Sequence, residues 1–254
     1  RRYWRSLSLP VNVDELSMVD DNGAVNELVL RGVRLTWNEK NAVDDFLRFM
    51  RNGQDMDLRR VMFSFNRIIR DRFVPNGLLP YSGMISLAIE LLSHFPKLRS
   101  YLSSAYPVVL VDEAQDTNAL CYIFLNGLVS DKSGICMFGD PIQRVYGFIG
   151  AMEGLKAKAT TDLCLSPLEL EHNHRFSGGS IVGELGAAIR SHMKGAIVSG
   201  TPRLPIFVGA AQQDEATAIV SKVTALIQVG GGKIAILVRK RGALADLIMN
   251  ELVK

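Results

Sequence analysis

Residues Pro107–Ala151 decide the fold of this chain, and they read PVVLVDEAQDTNALCYIFLNGLVSDKSGICMFGDPIQRVYGFIGA. This stretch contains two apolar runs, Val108–Val111 and Ile135–Phe138, which are short, rich in β-branched or bulky side chains, and followed by acidic segments. Runs of this kind predict strands that are buried on both faces of a parallel sheet.

The segment between the two runs has helical spacing. Thr117–Val129 carries apolar residues at three- and four-residue intervals, and Asp116 or Thr117 is placed to cap a helix there. The order strand, helix, strand predicts a β-α-β unit. Because ligands bind beyond the carboxyl ends of the strands in open α/β sheets, we expect Asp112–Asp116 and Gly139–Gln143 to project into one crevice.

Asp112 and Glu113 place two adjacent carboxylates at the end of the first predicted strand. One carboxylate can hold a hydrated magnesium ion while the other orients or deprotonates a water, and a γ-phosphate between them is the natural substrate. The structural alternative is that these acidic residues only end the strand. A nuclease or other metal hydrolase using Asp112, Glu113 and Asp116 has only the carboxylates in its favour.

Three segments stand in a distinctive order: VDEAQDTN at 111–118, GDPIQRVYGFIGA at 139–151 and LELEHNHRFS at 168–177. In order and spacing they resemble the Walker B segment, motif III and motif IV of superfamily 1A DNA helicases, the UvrD/Rep/PcrA-like family. The resemblance covers about Tyr81–Lys254. It implies an α/β fold of RecA-like P-loop NTPase domains, each a parallel sheet flanked by helices, here incomplete and joined to a mainly helical accessory subdomain.

The resemblance also implies ATP hydrolysis with Mg²⁺, coupled to movement on single-stranded DNA or DNA junctions. Asp112 would hold the magnesium ion through water, and Glu113 would act on the attacking water. Gln143 would sense the γ-phosphate, because an amide can both donate and accept a hydrogen bond. Arg175 would reach the γ-phosphate from the second domain and stabilise the charge that develops during phosphoryl transfer.

The predicted DNA contacts lie in the motif III segment. Tyr146 and Phe148 match the aromatic residues on which single-stranded bases stack in the resembled family. The sequence departs from the family pattern at three positions: Arg144 replaces the usual serine, Ile149 the usual arginine, and His174 a common tyrosine. We expect Arg144 to supply a DNA contact in place of the arginine that is missing at 149.

The sequence divides into three parts: a 1B-like, mainly helical accessory subdomain at 1–80, the C-terminal half of a first RecA-like domain at 81–166, and the first part of a second at 167–254. In the first part, Glu27–Trp37 alternates around Gly32 and predicts a hairpin or bulged strand, and Asn38 is placed to cap the helix that follows. Helices are predicted at 42–50, 58–69, 82–95 with a serine cap, 96–104, 152–158, up to 193, 214–229 and 243–253; further strands are predicted at 160–165, 206–209 and 234–238.

The accessory part contains a cluster of arginines interleaved with phenylalanines. Such a cluster can hold a phosphate backbone and stack its bases, or it can be a solvated helix face over an ordinary core. The accessory subdomain of the resembled family touches DNA, so both interpretations stay open. The residues concerned are Arg59, Arg60, Arg67, Arg70, Arg72, Phe63, Phe65 and Phe73.

Composition narrows the class of protein without choosing a function. The chain has 254 residues, 48% of them hydrophobic, and a formal net charge of +3, which permits nucleic-acid binding but does not argue for it. Three cysteines inside apolar runs indicate a reducing compartment, which predicts an intracellular protein of the nucleus, the nucleoid or the cytoplasm. No apolar run approaches the roughly 18 residues that cross a bilayer, so no membrane partner is expected. The four histidines lack metal-ligand spacing.

A phosphate-binding loop ending in Gly-Lys-Ser/Thr is missing, because Gly230–Lys233 is followed by Ile234 and predicts a turn. In the resembled family that loop precedes the accessory subdomain, and later arginine-bearing motifs follow motif IV. We therefore expect the central part of a longer helicase, which would bind ATP poorly alone, meet protein partners through other regions, and act in DNA repair. The alternative is a non-catalytic, helicase-derived module that binds DNA or proteins.

Overall fold

A computed structural model of the chain describes residues 13–52, 55–129, 133–147, 150–170, 174–175, 180–193, 195, 210–230, 232–238 and 242–253. The chain divides into two compact units, Arg1–Glu171 and His172–Lys254. The elements of the first unit are, in chain order, β1 (Ser17–Val19), α1 (Ala24–Leu30), α2 (Trp37–Asn52), α3 (Asp55–Ile68), β2 (Leu78–Pro80), α4 (Tyr81–His94), α5 (Pro96–Ala105), β3 (Val108–Val111), α6 (Ala119–Leu128), β4 (Gly134–Met137) and α7 (Leu155–Asp162). The second unit contains α8 (Ile181–Met193), α9 (Gln212–Gln228) and α10 (Ala243–Leu252).

The main core of the first unit lies where α1 to α4 and α6 meet. Helices α2 and α3 confirm the two helices predicted there, and they pack side by side. Phe46 of α2 stacks on Phe65 of α3 with ring centroids 3.7 Å apart, and both rings are buried. Helix α6 contributes Leu120 and Ile123 to the same core, so the helical segment and the predicted β-α-β unit form one packed body.

The hairpin predicted at Glu27–Trp37 is wrong, because Ala24–Leu30 is helical. Ala24 and Leu28 lie one turn apart and are both buried, which is the spacing that a helix requires. Gly32 has φ +80°, and the Val33 amide donates to the Leu28 carbonyl at 2.9 Å. The glycine that suggested a bulge therefore ends a helix in the left-handed conformation.

The helix predicted to follow begins earlier than its expected cap, since Asn38 lies inside α2. Thr36 caps this helix instead: its backbone amide donates to Glu39 Oε2 at 2.8 Å, and its hydroxyl accepts from the Glu39 amide at 3.3 Å. This reciprocal pair is a capping box, and it satisfies two backbone donors that would otherwise lack partners.

Two other predicted caps are also wrong. The cap of α6 is Asn118, whose side chain accepts the amide of the third helical residue at 2.9 Å, rather than Asp116 or Thr117. Ser82 does not cap α4 with its own hydroxyl. Its backbone amide and its hydroxyl both donate to Asp21 Oδ1, at 3.0 and 2.8 Å, so a carboxylate from far along the chain serves this helix start.

Strands β3 and β4 confirm the predicted parallel pair, with Val109 opposite Ile135 and Val111 opposite Met137. The expectation that both faces are buried is wrong. Leu110 is 67% exposed and Val108, on the same face, is 58% exposed, while Val109 and Val111 on the other face are half-buried. Among the described residues this sheet has two strands, and no further strand or helix covers the face that carries Val108 and Leu110.

Two further strand predictions are not met. Most of 160–165 belongs to α7 or to the turn after it: Leu155 and Ala159 are buried one turn apart, and the Thr160 hydroxyl donates back to the Lys156 carbonyl. Residues 234–238 form no strand, and Leu237 is almost fully exposed, since no described segment pairs with this run. The strand predicted at 206–209 lies outside the described residues.

In the second unit, α9 and α10 pack against each other and bury Ala216 and Ile248. These helices and α8 agree with the predicted helical segments. Within the described part of the chain, no helix has both the length and the apolar character needed to span a membrane.

Candidate functional site

The turns that follow β3 and β4 lie side by side because the two strands stay connected beyond their ends. The Phe138 amide donates to the Val111 carbonyl at 2.7 Å, and the Ala114 amide donates to the Phe138 carbonyl at 2.8 Å. The chain therefore leaves both strands at the same edge of the sheet, as the sequence predicts for Asp112–Asp116 and Gly139–Gln143.

Glu113 occupies a backbone conformation that is unusual for a side chain of its kind. Its φ and ψ are 49° and 41°, in the left-handed region, and a 3₁₀ turn at Ala114–Asp116 follows it. Asp112 Oδ1 accepts the Glu113 amide at 2.9 Å, which stabilises the bend. Both carboxylates are exposed, so the bend presents them to solvent at the strand end. Strained residues of this type cluster at functional sites.

Gln115 connects the two turns, and the sequence did not single it out. Its side chain is buried, with 7% of its surface exposed. Nε2 donates to Glu113 Oε2 at 2.7 Å, and Oε1 accepts the backbone amide of Asp140 at 3.0 Å. The signal that could have found it is its position, because a polar residue inside the turn between strand and helix needs partners for both ends of its amide.

Gly139 leaves room for this contact. A Cβ atom placed on Gly139 would lie 2.7 Å from Gln115 Oε1 and 3.0 Å from the Gln115 amide nitrogen. The first distance requires the Gln115 side chain to shift, and the second requires the Gln115 backbone to give by a few tenths of an ångström. The close approach of the two turns thus depends on the absence of a side chain.

Asp140 extends the connection to Gln143. Asp140 Oδ1 accepts the Ile142 amide at 3.1 Å, and Oδ2 accepts Nε2 of Gln143 at 2.9 Å. Glu113 and Gln143 are therefore joined by hydrogen bonds through Gln115 and Asp140, a set of four residues that we call the relay. Asp112, Glu113 and Gln143, which the sequence predicts at one site, lie on these two adjoining turns.

The three residues predicted to bind DNA lie beyond Gln143. Arg144 is exposed, and its guanidinium donates to the Ala151 carbonyl at 3.2 Å. Tyr146 is 44% exposed, and its carbonyl accepts the Ala151 amide at 3.2 Å. Phe148 lies outside the described residues. The segment is thus closed by backbone contacts between 146 and 151, with Tyr146 on its surface.

Arg175 belongs to the second unit, and its side chain is exposed. Its predicted role at the γ-phosphate stays a prediction. His174, beside it, is exposed as well. Across the described residues, no cluster of three or more histidine, cysteine, aspartate or glutamate side chains is arranged to hold a metal ion.

The helix between the two strands is supported by a polar contact behind the site. Tyr122 of α6 is fully buried, and its hydroxyl donates to Asp162 of α7 at 2.9 Å. Lys158 also donates to Asp162, at 3.0 Å, and its ammonium lies 5.3 Å from the Tyr122 ring centroid. The hydrogen bond from Lys158, together with that from Tyr122, lowers the pKa of Asp162. The same helix carries Cys121, and burial raises the pKa of its thiol.

The arginine and phenylalanine cluster divides into three groups, of which the first, Phe65 and Phe73, is buried in the core. Arg70 bonds to Glu90 at 2.6 Å and Arg72 to Glu39 at 2.8 Å, so these two arginines connect helices. The ring of Phe63, by contrast, is 70% exposed on α3, where the arginines one turn away are also exposed. We call this exposed set, made of Arg59, Arg60, Phe63 and Arg67, the α3 surface.

Comparison with known proteins places these features in a family. The family model described as the UvrD/REP helicase N-terminal domain matches residues 25–162, which includes the relay, α2 to α7 and the α3 surface. That match covers more than half of the chain and extends well upstream of the three motifs that carried the resemblance.

Several curated relatives are helicases. DNA helicase II of Haemophilus influenzae is 25% identical over 203 residues, which is 77% of this chain and 28% of the relative. DNA helicase II of Escherichia coli is 28% identical over 162 residues, which is 61% of this chain and 22% of the relative. The ATP-dependent DNA helicase PcrA of Staphylococcus aureus is 33% identical over 76 residues, which is 30% of this chain and 10% of the relative.

The chain thus spans between a tenth and somewhat more than a quarter of the length of these relatives. The matched segment has a mixed α/β structure that is mostly helical, with small parallel sheets, and it carries the acidic turn after β3. On this evidence the chain belongs to the UvrD/REP helicase N-terminal domain family.

Proposed function

We propose that this chain forms part of the motor of an ATP-dependent DNA helicase that moves along single-stranded DNA. The observation that carries the proposal is the relay, which joins Glu113 to Gln143 across two parallel strand ends. The carboxyl ends of two parallel strands carry these carboxylates and this amide at one edge of the sheet. Such an edge suits the binding of a nucleoside triphosphate. In this proposal 81–166 and 167–254 are parts of two RecA-like domains, and 1–80 is an accessory subdomain.

Glu113 is the base in the proposed hydrolysis. Its Oε2 is already held by the Gln115 amide at 2.7 Å, which leaves Oε1 to accept a proton from the attacking water. The left-handed bend keeps this carboxylate at the exposed edge of the sheet. A base that is fixed in this way loses little freedom when the substrate arrives, and such orientation is a large part of catalysis in phosphoryl transfer.

Asp112 fits the role of a magnesium ligand. Its Oδ1 accepts the Glu113 amide, which fixes the carboxylate, and the chemistry of a single exposed carboxylate surrounded by water suits Mg²⁺. The ion would neutralise charge on the phosphate oxygens when ATP is bound. Arg175 would add a further positive charge to the γ-phosphate from the second domain.

Gln143 would report the state of the nucleotide to the DNA-binding segment. Its Nε2 donates one hydrogen to Asp140, so the second N–H can donate to a phosphate oxygen and the amide oxygen can accept from a water. Arg144, Tyr146 and Phe148 follow within five residues, close enough for a shift at Gln143 to move them. Base stacking on Tyr146 and Phe148 would contribute about 1–3 kcal/mol per base.

The α3 surface is a candidate for a second DNA contact in this proposal. Its exposed ring stands between arginines on one helix face, and Arg60 also lies 5.9 Å from the ring centroid of Phe49 on α2. Positive charge next to an exposed aromatic ring suits a nucleic-acid strand, since it offers both phosphate contact and stacking. Arg70 and Arg72 do not belong to this surface, because each holds a glutamate of another helix at 2.6 or 2.8 Å. Arg60 makes a longer and exposed contact, at 3.7 Å, with Asp57 on its own helix.

The test is ATP hydrolysis by the full-length protein, measured with and without single-stranded DNA. We expect DNA to stimulate hydrolysis and Glu113→Gln to lower kcat by about 100-fold or more, because a general base contributes 10²–10⁴-fold. Glu153→Gln is the matched control, since it removes the same charge from an exposed position outside the relay. DNA binding without any hydrolysis would instead support a non-catalytic module.

A further inference from the structure

The buried amide of Gln115 has both of its ends engaged by groups on different turns. Its NH₂ group donates to the Glu113 carboxylate at 2.7 Å, and its oxygen accepts the Asp140 amide at 3.0 Å. We infer that Gln115 is a positioning residue, which orients the Glu113 carboxylate and holds the turn after β4 against the turn after β3. This inference rests on the proposed function, because it assigns Glu113 a role in hydrolysis.

Only an amide satisfies both contacts at this place. A carboxylate at 115 has no proton to give to Glu113 and would bring two negative charges to hydrogen-bonding distance. An apolar side chain of the same length would leave the Asp140 amide and one Glu113 oxygen without these partners. The geometry therefore selects glutamine for its two-sided hydrogen bonding rather than for its size.

Gly139 supports the same inference independently. Its position would place a Cβ only 2.7 Å from Gln115 Oε1 and 3.2 Å from the Ala114 amide nitrogen. A side chain at 139 would therefore require the Gln115 side chain and the neighbouring backbone to shift. The glycine thus allows Gln115 Oε1 to come close enough to accept the Asp140 amide, a contact that simple filling of space does not require.

The contact also gives Gln115 a part in coupling. Gln115 accepts a hydrogen bond from the backbone amide of Asp140, and the carboxylate of Asp140 accepts one from Gln143 at 2.9 Å. A displacement of Gln143, when DNA binds or phosphate leaves, is therefore passed to Asp140 and through Gln115 to the Glu113 carboxylate. Loss of Gln115 is expected to reduce both kcat and the stimulation of kcat by DNA.

Two substitutions test the hydrogen bonds of the Gln115 side chain separately from its size. Gln115→Met keeps the length and removes both bonds, whereas Gln115→Glu keeps the acceptor and loses the donor until its carboxyl is protonated. The titratable groups beside position 115 are Glu113 and Asp116 on its own turn and Asp140 on the facing turn. All three are acidic, so they raise the pKa of an introduced carboxyl.

The experiment measures kcat and KM for ATP in the full-length protein, without DNA and at saturating single-stranded DNA, from pH 6 to 8.5. We expect Gln115→Met to lower kcat by roughly 10- to 100-fold at every pH, a part of the full contribution of the base, with KM changed less than about threefold. Gln115→Glu should show a similar loss at pH 8.5 that shrinks as the pH falls. A role in folding alone would not respond to protonation in this way.

The controls distinguish the two proposals. If wild-type protein shows no DNA-stimulated hydrolysis, or if Glu113→Gln behaves as wild type, the proposed function fails. If wild type is active and either Gln115→Met or Gln115→Glu at pH 8.5 has wild-type kcat, the positioning role is overturned. Because one preparation of Gln115→Glu is assayed at several pH values, it serves as its own folding control should Gln115→Met prove unstable.

Discussion

Gly150 is where the segment after β4 meets the end of α2, and Gly150→Ala tests how closely they fit. Gly150 has φ +103°, a conformation that side-chain-bearing residues rarely adopt. A Cβ at this position would lie 2.7 Å from the Arg51 Cα and 2.8 Å from the Met50 carbonyl oxygen. Both are backbone atoms of a helix, which cannot move aside as a flexible side chain would.

The expected loss in the free energy of unfolding has two parts, the backbone conformation at Gly150 and the contact of a Cβ with α2. The unfavourable backbone conformation costs about 1–3 kcal/mol, and overpacking against a helix backbone costs about another 1–3 kcal/mol. Gly154→Ala provides the matched control, since Gly154 also has positive φ, at +69°, but a Cβ there meets nothing within 4 Å. The control should cost only about 1–2 kcal/mol, from the backbone term.

The assay is the thermal unfolding midpoint of the two variants and of wild type under the same conditions. At about 2–4 °C per kcal/mol for a protein of this size, we expect Gly150→Ala to unfold several degrees below Gly154→Ala. DNA stimulation of hydrolysis should fall with it, because Gly150 is in the segment that carries Tyr146. Equal midpoints for the two variants would show that the close approach to α2 is absent.

Three further predictions concern single contacts. Asn118→Ala removes the side-chain cap of α6 and should lower the free energy of unfolding by about 1 kcal/mol, as measured by urea denaturation; an unchanged value would mean that another group caps the helix. Asp162→Asn should lower the thermal midpoint at pH 7, and the gap should close as pH falls below 3.8, because the lowered pKa makes the wild-type carboxylate stabilising above that range and neutral well below it; a gap independent of pH would exclude the Lys158 contact. Arg144→Ala should weaken the stimulation of ATP hydrolysis by single-stranded DNA while hydrolysis without DNA stays unchanged, and equal stimulation would remove Arg144 from the DNA contacts.

Much of the candidate site was predictable because it depends on short stretches of chain. The two strands and the helix between them follow from the local spacing of apolar residues, and parallel strands joined by one helix must end at the same edge of the sheet. Asp112, Glu113 and Gln143 were therefore expected on adjoining turns, where the structure has them. Gln115 escaped prediction because its importance comes from burial and from a partner on the other turn, at Asp140.

The errors in the fold have the same origin. Apolar residues alternate over a few positions around Gly32, and such a short pattern fits a strand as well as a helix end; the burial of Leu28 against other helices decides between them. Likewise, no local pattern could show that Asp21 serves the start of α4, since the two are separated by about sixty residues.

The sequence by itself determined the β-α-β unit, the helices α2 and α3, and the order of motifs that indicated the family. Only the tertiary structure decided which polar groups meet: the amide of Gln115 between two turns, the arginines that pair with glutamates, and the aromatic ring of Phe63 that stays exposed. The physical reason is range. Secondary structure follows from neighbours a few residues apart, whereas burial and hydrogen-bond partners depend on segments that come together only when the chain is folded.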